Sequence, residues 1–181
     1  GLAYKAGELI LEKPMNHRAF DLALYYCHRY QLPYFVDDDF NYAHHLEQFI
    51  PFIHSVDPLK LAKEVVVEDL KHPIKMVVFF GNHLDKIAEV SHHLAKLEQL
   101  DITFHDDESC LYLNPKEVTK SSTIQELFDH DFVAFGNDRN DIAMFQAAVY
   151  SVQVGDFADL SPFADTQVLL RQDYHQAVAD K

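Results

Sequence analysis

From Pro115 onward the chain alternates apolar runs with helix-patterned stretches, and this rhythm limits the fold more than any other feature. A helix pattern over Ser121 to Phe128 gives way to the apolar run Phe132 to Phe135. A second helix pattern covers Asp141 to Ala148, and Ser151 to Val154 reads as a strand. Gln167 to Leu170 and Tyr174 to Ala179 then predict one more strand and a short helix. Strands separated by helices cannot pair as tight hairpins, so they predict a largely parallel sheet covered by helices, an α/β arrangement.

The earlier part reads differently. Leu2 to Tyr4 and Leu9 to Leu11 flank the turn Ala6-Gly7-Glu8 and predict a hairpin. Asn16 is placed to cap a helix whose stripe is Ala19, Phe20, Ala23, Leu24 and Cys27. Leu32-Pro33 ends that helix, and Tyr34 to Val36 is a short strand. A helical stretch near Leu46, Phe49 and Ile50 is interrupted by Pro51, and Asp57-Pro58 starts a further helical turn. Ile74 to Phe80 is the clearest buried strand, closed by Gly81-Asn82. A helix with Leu84, Ile87, Ala88, Ser91, Leu94 and Ala95 on one face follows. Ile102 to Phe104 and Cys110 to Leu113 flank a polar turn and predict an antiparallel hairpin. Two α/β layers result, residues 16–114 and 115–181.

Charge narrows the partners. With 29 acidic against 15 basic side chains the 181-residue chain carries −14, which repels nucleic acid and anionic membranes and suits a cation. An apolar share of 48% argues against disorder. No run approaches the roughly 20 apolar residues of a membrane span. The start, Gly1-Leu2-Ala3-Tyr4-Lys5, lacks both an initiator Met and the order of a signal peptide, so the chain is expected to begin inside something longer or after processing. Cys27 and Cys110 read as two buried thiols, and a reducing cytoplasm is the expected compartment. The histidine pairs His44-His45 and His92-His93 lack zinc-ligand spacing and read as solvated.

The stretch Phe132 to Phe145 concentrates the chemistry. An apolar strand ends at Gly136, the cluster Asn137-Asp138-Arg139-Asn140-Asp141 follows, and a helix begins. Ligands gather beyond the carboxyl ends of parallel strands, and Asp and Asn oxygens there suit Mg²⁺. The same residues could simply cap the helix and turn the chain, and composition leaves both readings open.

These segments, in this order, resemble the Cof-type branch of the haloacid dehalogenase superfamily. Gly136 to Met144 is similar to the family's fourth motif, and Leu113-Asn114-Pro115-Lys116-Glu117-Val118-Thr119-Lys120 to the approach to its third-motif lysine. Val152 to Asp156 and Phe163 to Val168 resemble the segments that finish such cores, and Gly7 to Met15 the hairpin leading into the cap. The resemblance implies a Mg²⁺-dependent phosphatase of small phosphorylated metabolites. It implies a core-edge hairpin at 1–15, a large α/β cap at 16–114, and the C-terminal half of a Rossmann-like core at 115–181. Lys120 becomes the catalytic lysine that offsets charge on the transferring phosphoryl group. Asn137, Asp138 and Asp141 become metal-site residues, and Asn140 and Gly136 orient the loop or bind phosphate.

Three departures bear on mechanism. Asn137 stands where the family has Asp, and the interval from Lys120 to Gly136 is short. The first motif, a nucleophilic Asp and an acid-base Asp two residues apart, is not found ahead of the hairpin. Asp37 and Asp39 follow an apolar strand with that spacing, yet their order places them in the cap, where they read as a loop facing substrate. The chain alone is therefore expected to be inactive. The rival expectation is a non-catalytic binding or dimerisation module, its partner a second copy or the missing N-terminal core segment.

Overall fold

The computed structural model describes residues 1–46, 53, 57–106 and 108–169. These form two compact units, Gly1–Val118 and Thr119–Lys181. The expected helix at Phe49 and Ile50 and the terminal helix at Tyr174 to Ala179 lie outside the described residues.

The first unit opens with a hairpin, β1 (Leu2–Lys5) against β2 (Glu8–Glu12). Its two-residue turn has Ala6 at φ 51° and Gly7 at φ 85°, the doubly left-handed turn that matches strand twist. Helix α1 (His17–Tyr30) starts where the Asn16 side chain accepts from the Arg18 and Ala19 N–H groups. It ends on Gln31 in the left-handed region, two residues before Pro33. Tyr26 is buried, its hydroxyl 2.7 Å from His93 Nδ1, whereas Leu24 is only half-buried.

A six-stranded sheet follows in the order β5-β4-β3-β6-β8-β7. Its strands are β3 (Tyr34–Asp38), β4 (Asn41–His45), β5 (Lys63–Glu64), β6 (Lys75–Phe79), β7 (Leu100–His105) and β8 (Cys110–Pro115). All its ladders are antiparallel except β4 with β5. Met76 and Val78 face α1 and α2 (Ile87–Ala95), in one core with Val36, Leu111 and Leu113. Val77 and Phe79 alternate to the other face, against Phe35 and Cys110. Burial on both faces explains why β6 reads as an unbroken apolar run.

Two expectations are corrected here. Asp37 and Asp38 end strand β3 instead of forming a loop, and only Asp39 lies in the turn, at φ 52°. Asp57-Pro58 starts a non-helical turn, in which the Asp57 carboxylate accepts from the Leu61 and Ala62 N–H groups. Asp38, 3% exposed, accepts from the N–H groups of Lys71 and His72 and so fixes the approach to β6.

The second unit holds α3 (Lys120–Leu127), β9 (Val133–Gly136), α4 (Ile142–Ala147), β10 (Tyr150–Val154) and β11 (Thr166–Val168). Its three strands are all parallel, in the order β11-β10-β9. Ala134, Met144, Phe145 and Leu160 form its core. Among the described residues no helix is long and apolar enough to cross a membrane. Both cysteines are buried and unpaired.

Candidate active site

The site forms at the carboxyl end of β9, from the loop Gly136–Asp141 and the first residue of α3. Thr119 caps α3: its hydroxyl accepts from the Ser122 N–H at 3.0 Å, while the Ser122 hydroxyl accepts from the Thr119 N–H at 2.9 Å. That box places Lys120 in the first helical turn. The partial positive charge of a helix N-terminus disfavours a lysine there, so a carboxylate must hold it.

Asp141 supplies that carboxylate. Lys120 Nζ lies 2.5 Å from Asp141 Oδ1, with the Lys120 side chain 56% exposed and Asp141 1% exposed. Asp141 Oδ2 accepts from the backbone N–H groups of Asn137, at 2.8 Å, and Asp138, at 3.3 Å. Burial alone would raise the Asp141 pKa. The Lys120 ammonium and the two N–H donors outweigh it and hold the carboxyl below its ordinary value.

Gly136 is required by this packing. A Cβ at that position would lie 2.5 Å from Asp141 Cβ and 2.6 Å from its Cγ and Oδ2. Asp138 caps the short 3₁₀ turn Arg139–Asp141, its Oδ1 accepting from the Asn140 N–H at 2.8 Å. Arg139 pairs with Asp159 at the surface. Sequence reasoning missed the Thr119–Ser122 box and the capping role of Asp138, though the Thr-x-x-Ser spacing signals the first.

The structure thus brings together Lys120, Gly136, Asn137, Asp138, Asn140 and Asp141, all in the second unit. Asp37 and Asp39 belong to the first unit. The oxygen donors of this loop are exposed Asn137, half-buried Asp138, whose Oδ1 caps the turn, and buried Asp141, both of whose oxygens accept hydrogen bonds. Hard carbonyl and carboxylate oxygens fit Mg²⁺, which keeps several waters and takes one or two protein carboxylates. Among the described residues, no group of three or more His, Cys, Asp or Glu side chains is arranged to hold a metal.

The sequence model of the haloacid dehalogenase-like hydrolases matches residues 2–173. The chain belongs to that family. Solved structures agree on the fold. A haloacid dehalogenase-like hydrolase from Bacteroides thetaiotaomicron superposes with TM-score 0.68 at 19% identity, over 91% of this chain and 65% of that one. A subclass IIB sugar phosphatase of the superfamily gives 0.66 at 17%, over 93% and 66%. A Thermotoga maritima protein gives 0.70 at 17%, over 93% and 67%. This haloacid dehalogenase-like chain therefore spans just under two thirds of the first two of these structures. No curated protein sequence matches it.

Proposed function

We propose that this chain is the cap and C-terminal core portion of a Mg²⁺-dependent phosphatase acting on small phosphorylated metabolites. In this reading residues 16–114 are the cap, 1–15 the hairpin leading into it, and 115–181 half of the core. One observation carries it: a lysine whose ammonium is fixed on a buried carboxylate at the carboxyl end of a parallel strand. The remaining Lys120 N–H donors can take phosphate oxygens and offset the charge that builds on a transferring phosphoryl group. Asn137, Asp138 and Asp141 would hold Mg²⁺, which when bound neutralises phosphate oxygens. Asp141 sets the direction of Lys120, and Gly136 and Asn140 set the loop that faces the phosphate. A charge of −14 disfavours nucleic acid and anionic membrane surfaces as partners.

The family's nucleophile is an Asp followed two residues later by an acid-base Asp. Among the described residues only Asp37 and Asp39 have that spacing after an apolar strand, and they sit on antiparallel β3 and its turn. The isolated chain should then show no Mg²⁺-dependent hydrolysis of an aryl phosphate, whereas the complete gene product should turn it over. In that complete protein Lys120→Met should lower kcat by about a hundredfold, the scale of losing one preorganised charge-stabilising donor. Robust turnover by the isolated chain, abolished in Asp37→Asn, overturns the assignment.

A second reading, a binding or dimerisation module, is favoured by the β9 edge. Among the described residues β9 pairs only with β10, and its Val133 and Phe135 stand 42% and 44% exposed on one sheet face. In the phosphatase that edge would take an N-terminal core strand; in the module it would take a second copy. A solution mass of twice 20.9 kDa, without Mg²⁺ binding heat, selects the module.

A further inference from the structure

We propose that the first unit associates with a second copy of this chain through the outer edge of β7, the two strands pairing antiparallel about a two-fold axis at Thr103. This goes beyond the phosphatase reading and does not depend on it.

β7 ends the six-stranded sheet, and among the described residues it pairs only with β8. An open edge invites another strand, and proteins guard such edges by shortness, lysine, proline or a bulge. The opposite edge of the sheet, β5, is two residues long. β7 has six, Leu100-Asp101-Ile102-Thr103-Phe104-His105, with no lysine or proline among them and an unbroken register against β8. Thr103, Phe104 and His105 are exposed. The Lys116 N–H donates to the Gln99 carbonyl, which makes the adjacent Leu100–Pro115 pair one that exchanges no bonds of its own. By alternation Asp101, Thr103 and His105 bond to β8, while Ile102 and Phe104 turn their N–H and C=O groups away from it.

Those outward groups limit the registers open to an antiparallel copy. Centred on Ile102, the pairing sets Asp101 against the partner's Thr103 and leaves His105 unmatched. Centred on Phe104, it sets Ile102 against the partner's Asp106. Centred on Thr103, every pair is complementary: Ile102 faces the partner's Phe104, Asp101 faces the partner's His105, and the two Thr103 hydroxyls face each other. The Asp101 carboxylate already holds Lys116 at 3.3 Å and the Glu117 N–H at 2.8 Å, and its remaining lone pairs can take a ring N–H. Ile102 and Phe104 of the two copies then exchange main-chain hydrogen bonds, and two six-stranded sheets become one of twelve. Asp101 and His105 would guard the edge against an unrelated strand, but a reversed copy brings acid to imidazole at both ends. That self-complementarity is what a two-fold interface requires, and it selects a second copy as the occupant.

Sedimentation of the 181-residue chain over a concentration series tests this, and the mass should rise from 20.9 kDa to twice that value. Thr103→Lys sets two ammonium groups opposite each other on the axis and should weaken association about tenfold or more. Thr103→Cys gives a second readout. A pair that exchanges no bonds holds its Cα atoms about 4.5 Å apart, within disulfide reach, so mild oxidation should yield a covalent dimer. His105→Cys is the comparison, since its thiol faces the partner's Asp101 and should cross-link far more slowly. Cys27 and Cys110 are buried and do not compete. Far-UV circular dichroism reports that each variant is folded. A monomer mass at every concentration, association unchanged in Thr103→Lys, or equal cross-linking by the two cysteine variants overturns the proposal. Association lost in Val133→Lys but kept in Thr103→Lys overturns it too, by placing the contact at β9. No activity is measured, so a complete gene product without phosphatase activity would leave a positive result standing.

Discussion

Asp141 organises its surroundings through two oxygens, and its removal tests how much depends on it. Asp141→Ala leaves two loop N–H groups without their acceptor and frees the Lys120 ammonium, and should cost about 2 kcal/mol in urea unfolding. Because the folded carboxyl titrates below its ordinary value, its stabilisation is present in full above about pH 4 and disappears as pH falls through the lowered folded value. Asp141→Asn should accordingly flatten the acid limb of stability against pH, and an unchanged limb would refute the assignment. Gly136→Ala forces a Cβ into the space of Asp141 and should cost about 2 kcal/mol as an overpacking change. The thiols behave in the opposite sense. Burial pushes Cys27 and Cys110 up to about 12, so iodoacetamide at pH 8 should leave both unmodified until the protein is denatured.

Elements with strong local signals were legible in the sequence, and those defined by distant partners were not. Asn16, the α1 stripe and the apolar run of β6 each state their structure within one segment. Asn16→Ala should lower stability by about 1 kcal/mol, the usual weight of such a cap, measurable by thermal unfolding. Strand β4 escaped notice because Asn41-Tyr42-Ala43-His44-His45 is largely polar, and pairing with β3 decides its conformation. β5 is shorter still, two residues held by β4 alone. The acidic loop after β9 could be placed from sequence, but not the closure of Lys120 on Asp141, since 21 residues separate them. The β9 edge makes its own prediction. Lysine is a common guard on exposed strands, so Val133→Lys should raise the monomer fraction in sedimentation if copies associate there, and leave it unchanged otherwise.

At the scale of the molecule, two units with separate cores replace the single domain that 181 residues could have formed. The first is built on a mostly antiparallel sheet and the second on a parallel one, so the alternation after Pro115 describes only the second. Calorimetry should then show a measured unfolding enthalpy larger than the van't Hoff value, as expected when two cores melt separately; equality would mean one cooperative block. The division falls between Val118 and Thr119, and the mutual hydroxyl-to-amide bonds that begin α3 both lie on the far side of it. A gene split at that junction would hand the second fragment its own helix start intact. The boundary is therefore a natural place to recombine this segment with other coding sequences without rebuilding either end.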